Sequence, residues 1–392
     1  MSTTAPLPSN LRRLRTAKRL SQRAVAEAAG LSRIGYRDIE TGNVTPRLDS
    51  LQRIATALAV SVPELLKPAR QLRHVRFRAD KQMMTRENIL ADVARWLDDY
   101  EDLESLVDDR KPWKLATLAA GLARSKRKGV EFAKQAAVNA REVLGLTAHK
   151  HEHLVRDMCG LLEDNGVKVL TASVASEGFF GLSVGRQDGG PAVFVNVWDR
   201  ISVERWIFTA AHELGHLLLH PNAYDVEQTE ERQAEEKEAD AFAGHFLMPD
   251  ALFQKEWEEA RGLGLVDRVF KIKRIFKVSW QSVLYRVAVG LPPVERGRLW
   301  VQFHSAYARQ HGQALTRTSE PEALNPRDFG GRPVDRVADE PSRLVDDDFR
   351  EDRLNRLVRL AIEQEKISLS RAAEILRLDL TDMRDLANSW VG

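Results

Sequence analysis

Apolar positions recur three and four residues apart along most of the chain, and give way to short β-branched or aromatic runs over one stretch. Between residues 8 and 66, Leu11 and Leu14, then Val25 and Ala28, then Leu51, Ile54, Ala55 and Leu58 fall at helical spacing, which predicts a bundle of small helices. Ser21 is placed to cap the segment SQRAVAEAAG and Gly30 to end it, because glycine takes the left-handed conformation at little cost. Ser32 then caps SRIGYRDIE, which stops at Thr41-Gly42 with Pro46 beyond, so the pair makes a helix-turn-helix. Farther on, Ile89, Leu90, Val93, Trp96, Leu97, Tyr100 and Leu103 form a broad stripe in a stretch, 68–123, that reads as charged and mostly helical. RSKRKG (124–129) reads as a boundary or solvated turn. Around 165–200 the pattern changes to the short β-branched or aromatic runs VKVLTASV, GFFGLSVG and PAVFVNV, with QDGG as a hairpin signal between the last two. Long helices follow to about 290, a Pro-, Gly- and charge-rich stretch covers 311–348, and the last 45 residues are helical again. The fold class expected is mainly α with a small β-sheet (α+β).

Composition narrows the functional classes. The 392 residues are 43% apolar and 30% charged, enough for two or three ordinary cores. No run of 18 apolar residues occurs, so no membrane partner is expected. A single cysteine, Cys159, and an N-terminus without an apolar core point to the cytoplasm. The net charge of +2 hides a division: residues 1–80 carry +9 and the remainder −7. A basic head on an acidic body suits a polyanion at the head.

The strongest chemical signal is TAAHELGHLLLH (209–220). His212 and His216 are four apart, so a helix sets both imidazoles on one face, where they can share a Zn²⁺ ion. Glu213, one residue on, is placed as general base toward water at that ion. A catalytic zinc needs a third protein ligand. His220 is eight residues from His212, about 12 Å along the axis. The position six residues after His216 is Asn222. The helix 234–249, AEEKEADAFAGHFLMP, offers Glu236 and Asp240 on one face with Ala239, Ala243 and Leu247, small residues that allow close approach. Glu236 is therefore assigned as third ligand. Asp240 is assigned to accept the other ring N–H of a ligand histidine. Glu235 and Glu238 point away from that face and read as solvated, and His245 lies on the opposite side.

HELGH followed by E-K-E-A-D-A-F-A-x-x-F-L-M-P resembles the ImmA/IrrE family of zinc metallopeptidases over residues 160–290, departing from the pattern at Phe246. The resemblance implies His212, His216 and Glu236 as zinc ligands and Glu213 as base. It also implies cleavage of a DNA-binding repressor as the family activity. Residues 11–66 resemble the Cro/cI-like (XRE) helix-turn-helix family, with S-Q-x-x-V-A-x-x-A-G-L-S and I-E-x-G-x-x-x-P both present. A helix of that kind enters the major groove of operator DNA, which nominates Ser32, Arg33, Tyr36 and Arg37 as the reading face. Gln22 is expected at the phosphates or bracing a base contact, and Arg12, Arg13, Arg15, Lys18 and Arg47 at phosphates. Gly35 inside that helix is expected to weaken it.

The domains expected are a helix-turn-helix domain (8–68), a helical linker (69–130), a zincin-like ImmA/IrrE peptidase domain (131–300), a linker (301–345) and a C-terminal helical module (346–392). In that module Leu376, Leu380, Met383, Leu386 and Trp390 offer an apolar face for a partner or for dimerisation. The chain is thus expected to be a DNA-binding regulator with a zinc metallopeptidase domain, acting on a protein substrate and forming a homodimer. The competing expectation is an antitoxin-like repressor that sequesters a cognate toxin, its zinc site structural or inactive.

Overall fold

The structure, a computed structural model, describes residues 6–18, 20–66, 72–77, 86–146, 154–221, 224, 232–316, 318–323 and 340–390. It is helical with one small sheet, an α+β chain, and forms two compact units. Among the described residues no helix is long and apolar enough to cross a membrane.

The first unit takes residues 1–71 and 84–98. Among the described residues its first five helices are α1 (Pro6–Ala17), α2 (Gln22–Ala28), α3 (Arg33–Glu40), α4 (Leu48–Ala57) and α5 (Val62–Leu66). They close on Leu11, Leu14, Val25, Tyr36, Ile54 and Leu58. The Ser21 and Ser32 hydroxyls accept the N–H groups of Ala24 and Gly35, so both expected caps are formed. Gly30 turns the chain between α2 and α3 at φ +62°, where a side chain would be strained. Ala28 is exposed rather than internal, and Ala26 and Ala29 are buried in its stead.

The stretch expected as a linker, 69–130, is shared between the units. Helix α6 (Arg86–Leu106) gives its first part, to Asp98, to the first unit and the rest to the second. The second unit holds a four-stranded sheet of order β1–β3–β4–β2. Its strands are β1 (Val75–Phe77), β2 (Lys168–Ala172), β3 (Gly181–Val184) and β4 (Ala192–Asn196). β3 and β4 form the antiparallel hairpin expected at QDGG, and β2 runs parallel to β4. Strand β1 lies within the stretch expected to be mostly helical. Three residues are too few to show alternation, and what makes them a strand is pairing with β3 more than 100 residues later.

The same unit contains α7 (Ala116–Arg124), α8 (Val130–Val143), α9 (Met158–Asp164), α10 (Val203–Leu219), α11 (Gln233–Leu247), α12 (Asp250–Glu259), α13 (Leu265–Phe276), α14 (Trp280–Val289) and α15 (Pro293–His311), of which α9 packs on β2 and α10 on β3 and β4. The last three helices are α16 (Arg353–Glu363), α17 (Leu369–Leu376) and α18 (Leu380–Ser389). The expected C-terminal module belongs to this second unit. The buried Arg353 guanidinium donates to Glu104 Oε1 (2.6 Å) and to the Asp109 carbonyl (2.6 Å), and the Arg371 guanidinium bonds Asp99 Oδ1 (2.5 Å). Of the expected apolar face, Met383 is buried while Leu380 is 38% exposed.

Glu163, at the end of α9, accepts the N–H of Arg353 (3.1 Å) where α16 begins. Burial pushes its carboxyl up from 4.5 to about 8 despite those backbone donors, and burial does the same to Glu320. The folded state therefore holds a proton that the unfolded chain gives up above about pH 4.5, and the stability so gained is lost as pH rises through about 8. Denaturant unfolding should show this unit weakening between about pH 6.5 and pH 9, above the range in which the lowered His245 imidazole acts the other way. Glu163→Gln should flatten that slope, leaving the share of Glu320, and a slope unchanged by the variant would exclude a buried protonated Glu163.

Candidate metal centre and nucleic-acid face

Helix α10 starts at Ser202, whose hydroxyl accepts the Arg205 N–H, and nearly every residue from Val203 to Leu219 is buried. Helix α11 can lie close against it because position 215 is glycine. A Cβ there would stand 3.0 Å from the Phe242 ring, and Ala239 and Ala243 add no bulk beside it. Behind α11, α8 presents the buried stripe Ala133, Ala136, Ala137 and Ala140.

This approach brings His212, His216 and Glu236 together. The two Nε2 atoms are 3.0 Å apart, His212 Nε2 is 3.7 Å from Glu236 Oε2, and His216 Nε2 is 3.6 Å from Glu236 Oε1. Three donors each 2.0–2.1 Å from a tetrahedral ion stand about 3.4 Å from one another. The observed spacings bracket that value, and one donor atom of each residue lies within 4.8 Å of the others, so the trio fits a small tetrahedral cation. Two imidazoles and a carboxylate are also the donor set of a hydrolytic zinc site.

Each member is held from behind. Asp240 Oδ1 lies 2.8 Å from His212 Nδ1. His216 Nδ1 meets His220 Nδ1 at 2.8 Å, His220 Nε2 meets Glu238 Oε2 at 2.9 Å, and Glu238 Oε1 accepts the Gly129 N–H at 2.6 Å. Burial holds the His220 imidazole below its ordinary range, although Glu238 pulls the other way. Two expectations are corrected here. Glu238 is 5% exposed and serves this buried column. Glu235 is not solvated, since Arg76 Nη1 donates to its Oε2 (2.6 Å) while Arg76 Nη2 donates to Glu236 Oε1 (2.8 Å). The helical wheel of α11 is right in both cases, but other elements wrap the sides that the wheel leaves to solvent. His245 faces away and contacts Asp250 (2.7 Å), with burial the main cause pushing its imidazole down to about 4.

Glu213 lies beside the trio, and Ser183 Oγ on β3 donates to its Oε2 (2.6 Å), while Tyr224 donates to that Oγ (2.9 Å). Neither Ser183 nor Tyr224 carries a sequence signal. A cavity of about 230 Å³ opens at His212, Glu213, Glu236 and Asp240, and Phe180, Arg205 and Phe208 also line it. The Arg205 guanidinium lies 4.4 Å from the Phe180 ring centre. Arg205 is seven residues before His212, hence on the same face of α10, which was the available clue to it.

In the first unit, α3 exposes Ser32, Arg33, Ile34 and Arg37. Tyr36 is not on that face. It is 0% exposed in the core with Ile39, at the i, i+3 spacing of a buried stripe, and burial pushes its phenol pKa up. Ile34, 63% exposed, takes its place on the outer surface. Arg15 is corrected as a phosphate partner. Its Nε and Nη2 grip the buried Glu40 carboxylate (2.7 and 2.8 Å), and Nη1 donates to the Leu20 carbonyl (3.0 Å). Gln22 donates to the same carboxylate (2.9 Å) and so braces the core rather than a base. Burial would raise the Glu40 carboxyl, but these donors hold it below its usual range. Arg12, Lys18 and Arg47 are exposed, and the side chain of Arg13 lies outside the described residues. Gly35 suits its place, since a Cβ there would meet the capping Ser32 oxygen at 3.0 Å.

Comparison with known proteins agrees with this geometry. Residues 162–288 match the IrrE N-terminal-like domain (peptidase family M78), and residues 11–65 match a helix-turn-helix family. The chain is 33% identical over 81 residues to YonR, an uncharacterized HTH-type transcriptional regulator derived from the SPbeta prophage of Bacillus subtilis (strain 168). That match covers 21% of this chain and 71% of the relative. The chain thus belongs to the HTH-type (XRE) transcriptional regulators and joins that DNA-binding domain to an IrrE/ImmA-like domain.

Proposed function

We propose that this regulator is a zinc-dependent metallopeptidase whose DNA-binding domain and hydrolytic site act in one regulatory circuit. The observation that carries this reading is the convergence of His212, His216 and Glu236 at ligand spacing, with Glu213 beside them at an open cavity. His212, His216 and Glu236 would hold the zinc, which when bound polarises a substrate carbonyl and makes water more acidic. Glu213 takes a proton from the attacking water and passes it to the leaving amine. Ser183 orients the Glu213 carboxylate, Asp240 orients His212, and the column from His220 to Gly129 orients His216. Phe180 and Phe208 give the cavity an apolar wall against which an extended peptide can lie, with Arg205 at its rim.

Mass spectrometry of the purified full chain should find close to one zinc per molecule, with a sharp loss in Glu236→Ala. Glu213→Gln should keep the metal and lose about 10²- to 10⁴-fold in peptide hydrolysis, the usual worth of a positioned general base. A wild-type chain without zinc would leave a repressor whose second domain does no hydrolysis.

The DNA-binding face follows from α3. Arg33 and Arg37 supply groove contacts, Ile34 supplies an apolar surface suited to a thymine methyl, and Arg12, Lys18 and Arg47 supply phosphate contacts. In selection from a random duplex library, Arg33→Ala and Arg37→Ala should each relax the preferred sequence at one position, at a cost of about 1–3 kcal/mol for a lost base contact. Tyr36→Phe should leave the selected sequence unchanged. If both arginine variants select the wild-type sequence with wild-type affinity, α3 is not the reading helix.

A further inference from the structure

Strand β1 lies outside both family matches: it follows the helix-turn-helix region (11–65) and precedes the IrrE-like region (162–288). It nevertheless supplies a residue to the metal centre. β1 pairs with β3 in the register Val75↔Val184, Arg76↔Ser183 and Phe77↔Leu182. The Arg76↔Ser183 rung therefore sets side by side the residue that grips Glu236 and the one that grips Glu213. Phe77 stacks on Phe179 with ring centres 5.0 Å apart. At the other end of the strand, Asp188 accepts the backbone N–H groups of Arg73 and of His74 (2.5 Å).

Arg76 is 9% exposed, and its planar fork fixes two donors relative to each other, one on Glu235 and one on Glu236. Held in this way, Glu236 keeps its carboxylate beside the two imidazoles, and the adjacent acid is neutralised instead of repelling it. A cation near a ligand also opposes an incoming metal ion. Arg232 also meets Glu235 (3.3 Å), so two guanidiniums balance Glu235 and Glu236, and it is the carboxylates of Glu213 and Asp240 at the same cavity that outweigh the opposition.

We propose that Arg76 is a positioning residue for the metal ligand Glu236, and that docking of segment 72–77 and metal binding are coupled. By linkage each strengthens the other by the same factor. The chain leading out of the DNA-binding domain then completes the metal site, and any event that pulls β1 away weakens metal binding. This rests on the assignment of His212, His216 and Glu236 as the zinc site.

The test is zinc affinity of the full chain by competition with a chromophoric chelator, together with hydrogen exchange of amides 75–77 with and without zinc. Arg76→Ala should weaken zinc roughly ten- to hundredfold, the usual cost of removing a partner that orients a ligand. Arg76→Lys should recover only part, because an ammonium cannot fix two carboxylates as a fork does. Zinc should slow exchange at 75–77 in the wild type and not in Arg76→Ala. Asp188→Ala loosens the far end of β1 without touching a ligand, and should weaken zinc in the same direction even if Arg76→Ala fails to fold. Unchanged zinc affinity in Arg76→Ala and Asp188→Ala, or zinc-independent exchange in the wild type, overturns the coupling. A wild type that binds no zinc overturns the metal-site assignment itself, which is a different result.

Discussion

The distance between α10 and α11 is the constraint on which the second unit depends. A carboxylate on one helix must meet two imidazoles on the other, and carboxylate and imidazole side chains are short. Bulk at the crossing point would separate them by more than a ligand can span. Gly215 removes that bulk on α10, Ala239 and Ala243 remove it on α11, and the alanine stripe of α8 presses α11 from behind. The site is thus a consequence of packing among small residues, and its chemistry is confined to the few polar side chains placed between them.

Those polar side chains are expensive to bury unless they are partnered. The structure meets this requirement by extending hydrogen bonds away from the centre in three directions. One column runs through His220 and Glu238 to the backbone at Gly129, one runs through Ser183 to Tyr224, and one runs through Arg76 into β1. His216, Glu213 and Glu236 are therefore oriented by the start of a helix, an inner strand of the sheet and its edge strand, respectively.

How much of this was legible in the sequence follows from the distance over which each relationship acts. His212 to His216 and Glu236 to Asp240 are relations within one turn of helix, so their spacing alone placed them. The helix caps at Ser21 and Ser32 are equally local. Arg76 and Ser183 act on residues 160 and 30 positions away, across strand pairings that no local pattern announces. Glu238 was misread because a helical wheel records angle and not what packs at that angle. Tyr36 was misread because α3 has only eight residues, in which the Tyr36–Ile39 stripe competes with the expectation that the middle of the helix faces outward.

The first unit shows how far formal charge departs from usable charge. Binding to DNA gains from counterions released wherever a cation neutralises a phosphate. Arg15 is already neutralised by Glu40, Arg23 by Glu27, Arg37 by Asp38 and Arg53 by Asp49. The exposed pairs can exchange their partner for a phosphate at little cost, because solvent screens them. The Arg15–Glu40 pair, buried on its acidic side, cannot. Its positive charge contributes to the fold of the domain and releases no ion from the duplex, so the steepness with which salt dissociates this protein from DNA is set by fewer residues than the basic head contains.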